Sequence, residues 1–179
     1  MYNKVSTGMN FVEREKEVEK FWKDKDIFRK SIKLREGAPT YMFYDGPPTA
    51  NGKPHIGHVL TRVIKDMIPR YQTMKGKMVP RKAGWDTHGL PVELSVEKAL
   101  GITKEDIGKK ISVADYNAAC RKDVMKYTKE WEDLTHRMGY WVDMKHPYIT
   151  YDNRYIETLW WLLKPVSYTH LRAHETRGN

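Results

Sequence analysis

One succession of residues constrains this chain more than any other. A short extended run, a stiff loop and the start of a long amphipathic helix follow one another from Tyr41. Tyr41-Met42-Phe43-Tyr44 alternates like a strand. Asp45-Gly46-Pro47-Pro48-Thr49-Ala50-Asn51-Gly52-Lys53-Pro54 is rich in glycine and proline, and His55-Ile56-Gly57-His58 comes next. From Gly57, the residues Leu60, Val63, Ile64, Met67, Ile68 and Tyr71 make an i, i+3, i+4 stripe that ends near Gly76, with Pro69 placed to kink the last turn. Strand, loop, then helix N-terminus is a geometry that holds phosphates. Residues 77–83 read as a second strand. The order strand–helix–strand implies a right-handed parallel crossover and an open α/β sheet.

The flanking sequence supplies further elements. Residues 10–33 read as one charged helix with Asn10 as N-cap and Phe11, Val18, Phe21, Trp22 and Phe28 as a partial apolar face. Gly84-Trp85-Asp86-Thr87-His88-Gly89-Leu90-Pro91 follows the second strand, where open α/β sheets bind ligands. A short helix is expected over 91–100, a charged connector over 104–110, a long helix over 114–138 and an aromatic extended run over 140–151. Asp152 is placed to cap a last helix over 153–164. Trp131, Trp141, Trp160 and Trp161 read as packing residues rather than platforms for bases.

The candidate site residues admit more than one chemistry. His55 and His58 suit hydrogen bonding to a polyphosphate. Two histidines three apart also suit a metal pair or a pair of helix caps, but no third ligand stands at a convincing spacing, so no metal site is expected. Gly57 leaves room for a base or ribose to approach the backbone. The segment from Gly46 to Lys53 fails as a P-loop: five residues separate its glycines, and Pro54 follows the lysine. Pro47 and Pro48 instead stiffen a preformed wall. Asp86 suits either a substrate ammonium or the amides of its own turn, and His88 is equally ambiguous.

The bulk properties set limits. The 179 residues suffice for one domain with a core. A net charge of +9 fits an anionic partner such as tRNA or a nucleotide, and equally a solvated basic surface. The single Cys120 excludes an internal disulfide and fits a reducing cytoplasm. No apolar run nears the roughly 20 residues of a membrane span, and residues 1–6 lack an apolar signal core, so no membrane partner is expected.

Two motifs together carry a family resemblance. Asp45-Gly46-Pro47-Pro48-x-Ala50-Asn51-Gly52-x-Pro54-His55-Ile56-Gly57-His58 closely resembles the signature of class I aminoacyl-tRNA synthetases. With Gly84-Trp85-Asp86-Thr87-His88-Gly89-Leu90-Pro91-Val92-Glu93 it resembles their isoleucine-specific branch. The resemblance runs from about residue 5 to 164. It implies an α/β fold: the first half of a Rossmann-type class I synthetase catalytic domain (40–164), truncated, behind an N-terminal helical extension (1–39). It implies activation of isoleucine with ATP and Mg2+, then transfer to tRNA. It assigns His55 and His58 to the ATP phosphates as catalytic groups, Gly57 and Asn51 to ATP binding, and Gly46, Pro47 and Asp86 to isoleucine. A cytoplasmic protein, monomeric at full length, is implied, with any family zinc site outside this chain.

The chain departs from the family in what it lacks. The second ATP motif, Lys-Met-Ser-Lys-Ser, is absent, since Val79-Pro80 follows Lys77-Met78. The chain is therefore expected to be an incomplete fragment, inactive alone, with Trp160, Trp161 and Leu162 left to pack against elements it does not contain. Residues 165–179 are expected to be a non-family tail, an artefact of read-through, and His170 and His174 take no role. Two other functions fit parts of the sequence. One is a small adenylyltransferase with a His-x-Gly-His phosphate site; the other is a stand-alone nucleotide- or RNA-binding fragment.

Overall fold

The computed structural model describes Gly8 and residues 10–171. The start read for a signal core and most of the tail, including His174, lie outside the described residues. The chain divides into two units. The first holds residues up to Phe43, His55–Arg81 and Glu132–Trp141. The second holds Tyr44–Pro54, Lys82–Trp131 and residues from Val142 onward.

In the first unit, α1 (Phe11–Asp24) and α2 (Ile27–Lys33) replace the single helix expected. Asn10 caps α1 as expected, its side chain accepting from the Glu13 amide at 3.3 Å. Asp26 takes a left-handed φ of 48°, which a short polar side chain tolerates, and this breaks the helix. Helix α3 (Ile56–Met74) contains Pro69. Its apolar stripe is present, but Leu60, Val63, Ile64, Met67 and Tyr71 are exposed. The buried positions on α3 are Arg62, Asp66 and Pro69.

That reversal has a physical basis in pairing, because a buried charge is tolerated only with partners. Asp66 accepts from Arg70 Nε and from Arg81 Nη1 at 3.3 Å. Arg81 also donates to the Trp141 carbonyl at 3.3 Å and to Thr73 Oγ1 at 3.1 Å. Arg70 donates to the Gly139 carbonyl, and its guanidinium lies 4.0 Å from the Trp141 ring centroid. Arg62 donates to the buried Thr135 hydroxyl. Burial draws the Arg81 pKa down to about 10, partly offset by Asp66, so it stays charged at neutral pH.

The strands form a three-stranded sheet in the order β1–β2–β3, with β1 at Phe43–Tyr44, β2 at Arg81–Trp85 and β3 at Asp143–Ile149. Strand β2 begins later than the sequence suggested. The second unit contains the parallel pairing Lys82↔Asp143, Gly84↔Tyr148 and Trp85↔Ile149, irregular between the first two pairs. The Asp45 amide donates to the Lys82 carbonyl at 2.8 Å.

Helix α4 (Leu90–Leu100) and a 3₁₀ turn (Lys104–Asp106) follow β2. The long helix expected over 114–138 is two, α5 (Val113–Val124) and α6 (Thr128–Arg137). Between them the Tyr127 amide donates to the Ala50 carbonyl at 3.1 Å, so a loop carbonyl takes the place of a helical acceptor. Asp152 caps α7 (Asn153–Val166), accepting from the Arg154 amide at 2.9 Å. The helix passes the expected end at Lys164 and widens to a π turn over Ser167–Leu171.

The second unit's core gathers Ala50, Trp85 and Trp131 with Met125, Tyr127, Met144 and Ile149. Trp131 is core, as expected, and Trp160 and Trp161, expected to pack against elements this chain does not contain, are 68% and 69% exposed. Among the described residues no helix is long and apolar enough to cross a membrane.

Candidate active site

His55 and His58 build the N-terminus of α3 between them. His55 is the N-cap, with extended backbone (φ −138°, ψ 172°). Its Nδ1 accepts from the Gly57 amide at 3.2 Å, and His58 Nδ1 accepts from the His55 amide at 3.1 Å. This is a reciprocal capping box in which imidazoles replace the usual hydroxyl and carboxylate. The two ring centroids are 3.8 Å apart.

The caps fix the chemistry of both rings. A nitrogen that accepts an amide hydrogen carries no proton, so in each neutral imidazole the proton sits on Nε2. Burial first, then the charges of His55 and Arg62, hold the His58 pKa below its usual value of 6.5. His58 is therefore neutral at pH 7 and presents Nε2–H as a donor. The first turn of α3 carries no acidic residue, which suits an anion at the positive end of the helix dipole.

Gly57 serves the same arrangement. A Cβ there would lie 3.0 Å from His55 Cε1 and 3.2 Å from its Nδ1. The missing side chain makes room for the capping ring, a local reason that the sequence did not disclose.

Gly46, Pro47, Asn51 and Asp86 belong to the second unit. The Asp86 amide donates to the Pro48 carbonyl at 3.0 Å, and Thr49 and Asp86 form a parallel bridge. Asp86 thus lies alongside Pro48 and Thr49, which follow Gly46 and Pro47 in the loop. One of its oxygens, Oδ1, accepts from the His88 amide at 3.4 Å, which is the turn role foreseen as one option. The other oxygen keeps its acceptor capacity for an ammonium. Asn51 is half-buried between Ala50 and Gly52, whose carbonyls accept from the Tyr127 amide and from Trp131 Nε1, the latter at 2.8 Å. The structure thus brings His55, Gly57 and His58 together in one unit and sets Asp86 against the loop in the other.

One residue missed by the sequence reading, Tyr148, supports the loop together with Gly84. Tyr148 donates its hydroxyl to the Asp45 carbonyl, and its ring lies across Gly84. A Cβ on Gly84 would fall 2.2 Å from that ring. Burial, then the charges of Asp45, Tyr155 and Asp86, push the Tyr148 pKa up to about 12, so it remains a donor. A glycine inside a strand was the available sign of a close approach.

Comparison with known proteins bears on this arrangement. Residues 17–171 match the family of class I tRNA synthetases (I, L, M and V). The chain belongs to that family. It is 77% identical over 151 residues to an isoleucine–tRNA ligase of Bacteroides thetaiotaomicron, a match covering 84% of this chain and 13% of that protein. It is 75% identical over 142 residues to that of Porphyromonas gingivalis, covering 79% of this chain and 12% of the other. With that of Cytophaga hutchinsonii it shares 60% over 163 residues, covering 91% and 14%. This class I synthetase chain therefore spans about 13% of the length of the first of these curated relatives. Its fold matches the agnB2 LeuRS of Agrobacterium radiobacter K84, solved in a ternary complex with tRNA and LeuAMS, with a TM-score of 0.59 at 19% identity over 83% of this chain and 17% of that one.

Proposed function

We propose that this chain is part of the catalytic domain of an isoleucine–tRNA ligase, a cytoplasmic and monomeric enzyme at full length. The observation that carries the reading is the two-histidine cap on α3, within a chain 77% identical to such a ligase. His55 and His58 offer Nε2–H donors to the phosphates of ATP, and Gly57 and Asn51 contribute to the nucleotide site. Gly46 and Pro47 line the isoleucine site, and Asp86 takes its α-ammonium through a charge-assisted hydrogen bond.

In the activation step the isoleucine carboxylate oxygen bonds to the α-phosphorus, the bond to the bridging oxygen breaks, and pyrophosphate leaves. The chain's part is to position the reactants and stabilise charge, with no acid or base required. Among the described residues no three His, Cys, Asp or Glu side chains converge on a metal position. Magnesium would arrive with the ATP phosphates and would supply neutralisation of their charge. A ribose hydroxyl oxygen of the tRNA then bonds to the isoleucyl carbonyl carbon and loses its proton, the acyl–phosphate bond of the adenylate breaks, and AMP leaves.

The test is isoleucine-dependent ATP–pyrophosphate exchange by the intact ligase that carries this sequence. His55→Ala is expected to lower exchange by about 10²-fold, the scale for losing one preorganised donor, while isoleucine affinity changes little. Unchanged exchange would refute the assignment. The 179-residue chain alone is expected to give no charging of tRNA, and detectable charging would contradict its reading as a fragment.

A further inference from the structure

Gly46 and Pro47, the two loop residues assigned to isoleucine, are suspended between two anchors. Before them, Asp45 is held at both of its peptide groups. Its amide donates to the Lys82 carbonyl of β2 at 2.8 Å, and its carbonyl accepts from the Tyr148 hydroxyl of β3. After them, the Pro48 carbonyl accepts from the Asp86 amide at 3.0 Å. Two of these bonds join backbone groups. The third comes from a side chain, so it is the one a substitution can remove.

That third bond decides how the chain leaves β1. A peptide unit is planar, so orienting the Asp45 carbonyl also orients the Gly46 nitrogen. Beyond it Gly46 has wide conformational freedom, and Pro47 fixes only its own φ. The direction of the isoleucine wall is therefore set at Asp45 rather than within the wall itself.

Tyr148 is built to hold that carbonyl still. Its ring lies over Gly84, where a Cβ would fall 2.2 Å away. Tyr155 of α7 stacks on it, with centroids 5.8 Å apart and planes 10° from parallel, and the Tyr44 ring lies tilted at 6.1 Å. A ring so enclosed has little rotamer freedom left to lose, and the hydroxyl is preorganised. A phenol that titrates at about 12 also remains a donor throughout the neutral range. Phenylalanine would fill the same space over Gly84, so the hydroxyl adds orientation rather than volume.

We propose that Tyr148 is a positioning residue for isoleucine: by holding the Asp45 carbonyl it sets where Gly46 and Pro47 stand, and thereby the fit of the amino-acid side chain. The inference rests on the ligase reading above and adds to it a residue that acts through the loop.

The test is isoleucine-dependent ATP–pyrophosphate exchange by the intact ligase carrying Tyr148→Phe, with KM for isoleucine and KM for ATP measured separately. KM for isoleucine is expected to rise about fivefold, the scale of one lost hydrogen bond. KM for ATP and kcat are expected to stay within about twofold of the parent. A merely structural role would reduce the amount of active enzyme, lowering kcat and leaving both KM values unchanged. The preference for isoleucine over valine should also fall, since one methylene is held only by the fit of the pocket wall. Gly84→Ala displaces the same ring from the neighbouring strand and should raise KM for isoleucine at least as much, which keeps the test open if Tyr148→Phe does not fold. A folded variant of either kind with the parent KM for isoleucine would overturn the proposal, as would KM values for isoleucine and ATP that rise together. A parent enzyme without isoleucine-dependent exchange would instead refute the ligase reading.

Discussion

Helix α3 with its His55 cap, and the loop over Tyr44–Pro54 with Asp86 alongside it, carry the two sets of candidate site residues, and opposite physics holds them. The face of α3 that its own unit buries is polar: Asp66 between Arg70 and Arg81, and Arg62 on Thr135. The loop rests on an apolar core of Ala50, Trp85 and Trp131 and is tied by backbone carbonyls. A buried ion cluster fixes a unique orientation but loses heavily when one partner is removed. A packed aromatic core instead loses most when its volume changes. The two regions should therefore fail differently.

The largest effect is expected at the ion cluster. Asp66→Ala leaves Arg81 buried without its countercharge and should cost about 3–5 kcal/mol in denaturant unfolding. A loss near that of a surface substitution would remove the distinction between the regions. Next comes volume in the second unit. Gly84→Ala drives a methyl into the Tyr148 ring and should cost about 1–3 kcal/mol, with the loop around Asp45 becoming more accessible to hydrogen exchange. Polarity there matters less: Tyr148→Phe keeps the ring over Gly84 but loses the bond to the Asp45 carbonyl, which should cost about 1 kcal/mol by the same measurement.

The smallest effect is a pH dependence confined to α3. The folded pKa of His58 is depressed, so below its ordinary value of 6.5 the unfolded chain binds a proton that the folded chain resists. Stability should be full above that value and decline as pH falls toward the folded pKa, because protonating Nδ1 removes the acceptor for the His55 amide. His58→Asn should flatten this part of the pH profile. An unchanged profile would place the titration elsewhere.

How much of this was legible in the sequence depended on range. The loop-to-helix junction, the cap at Asn10 and the cap at Asp152 were readable because each is decided within three or four residues. The break between α5 and α6 was not, since the acceptor for the Tyr127 amide is Ala50, far away in the chain. The apolar stripe of α3 was read correctly as a pattern, but its exposure depends on partners for Arg62 and Asp66 that local periodicity does not encode. The site showed the same limit. His55, His58 and Asp86 stood in motifs, whereas Tyr148 acquires its role only when β3 pairs beside β2 and places it over Gly84.

The central claim is that the two histidines cap α3 through Nδ1 while offering Nε2–H to phosphate. Asparagine separates these tasks, since its amide oxygen can take the capping hydrogen bond but does not reach as far as Nε2. The measurement is isoleucine-dependent ATP–pyrophosphate exchange by the intact ligase carrying His55→Asn and His58→Asn, with its unfolding midpoint determined in parallel. We predict a midpoint close to that of the parent and exchange reduced by about 10²-fold or more. A stable double variant that exchanges at the parent rate would contradict the account.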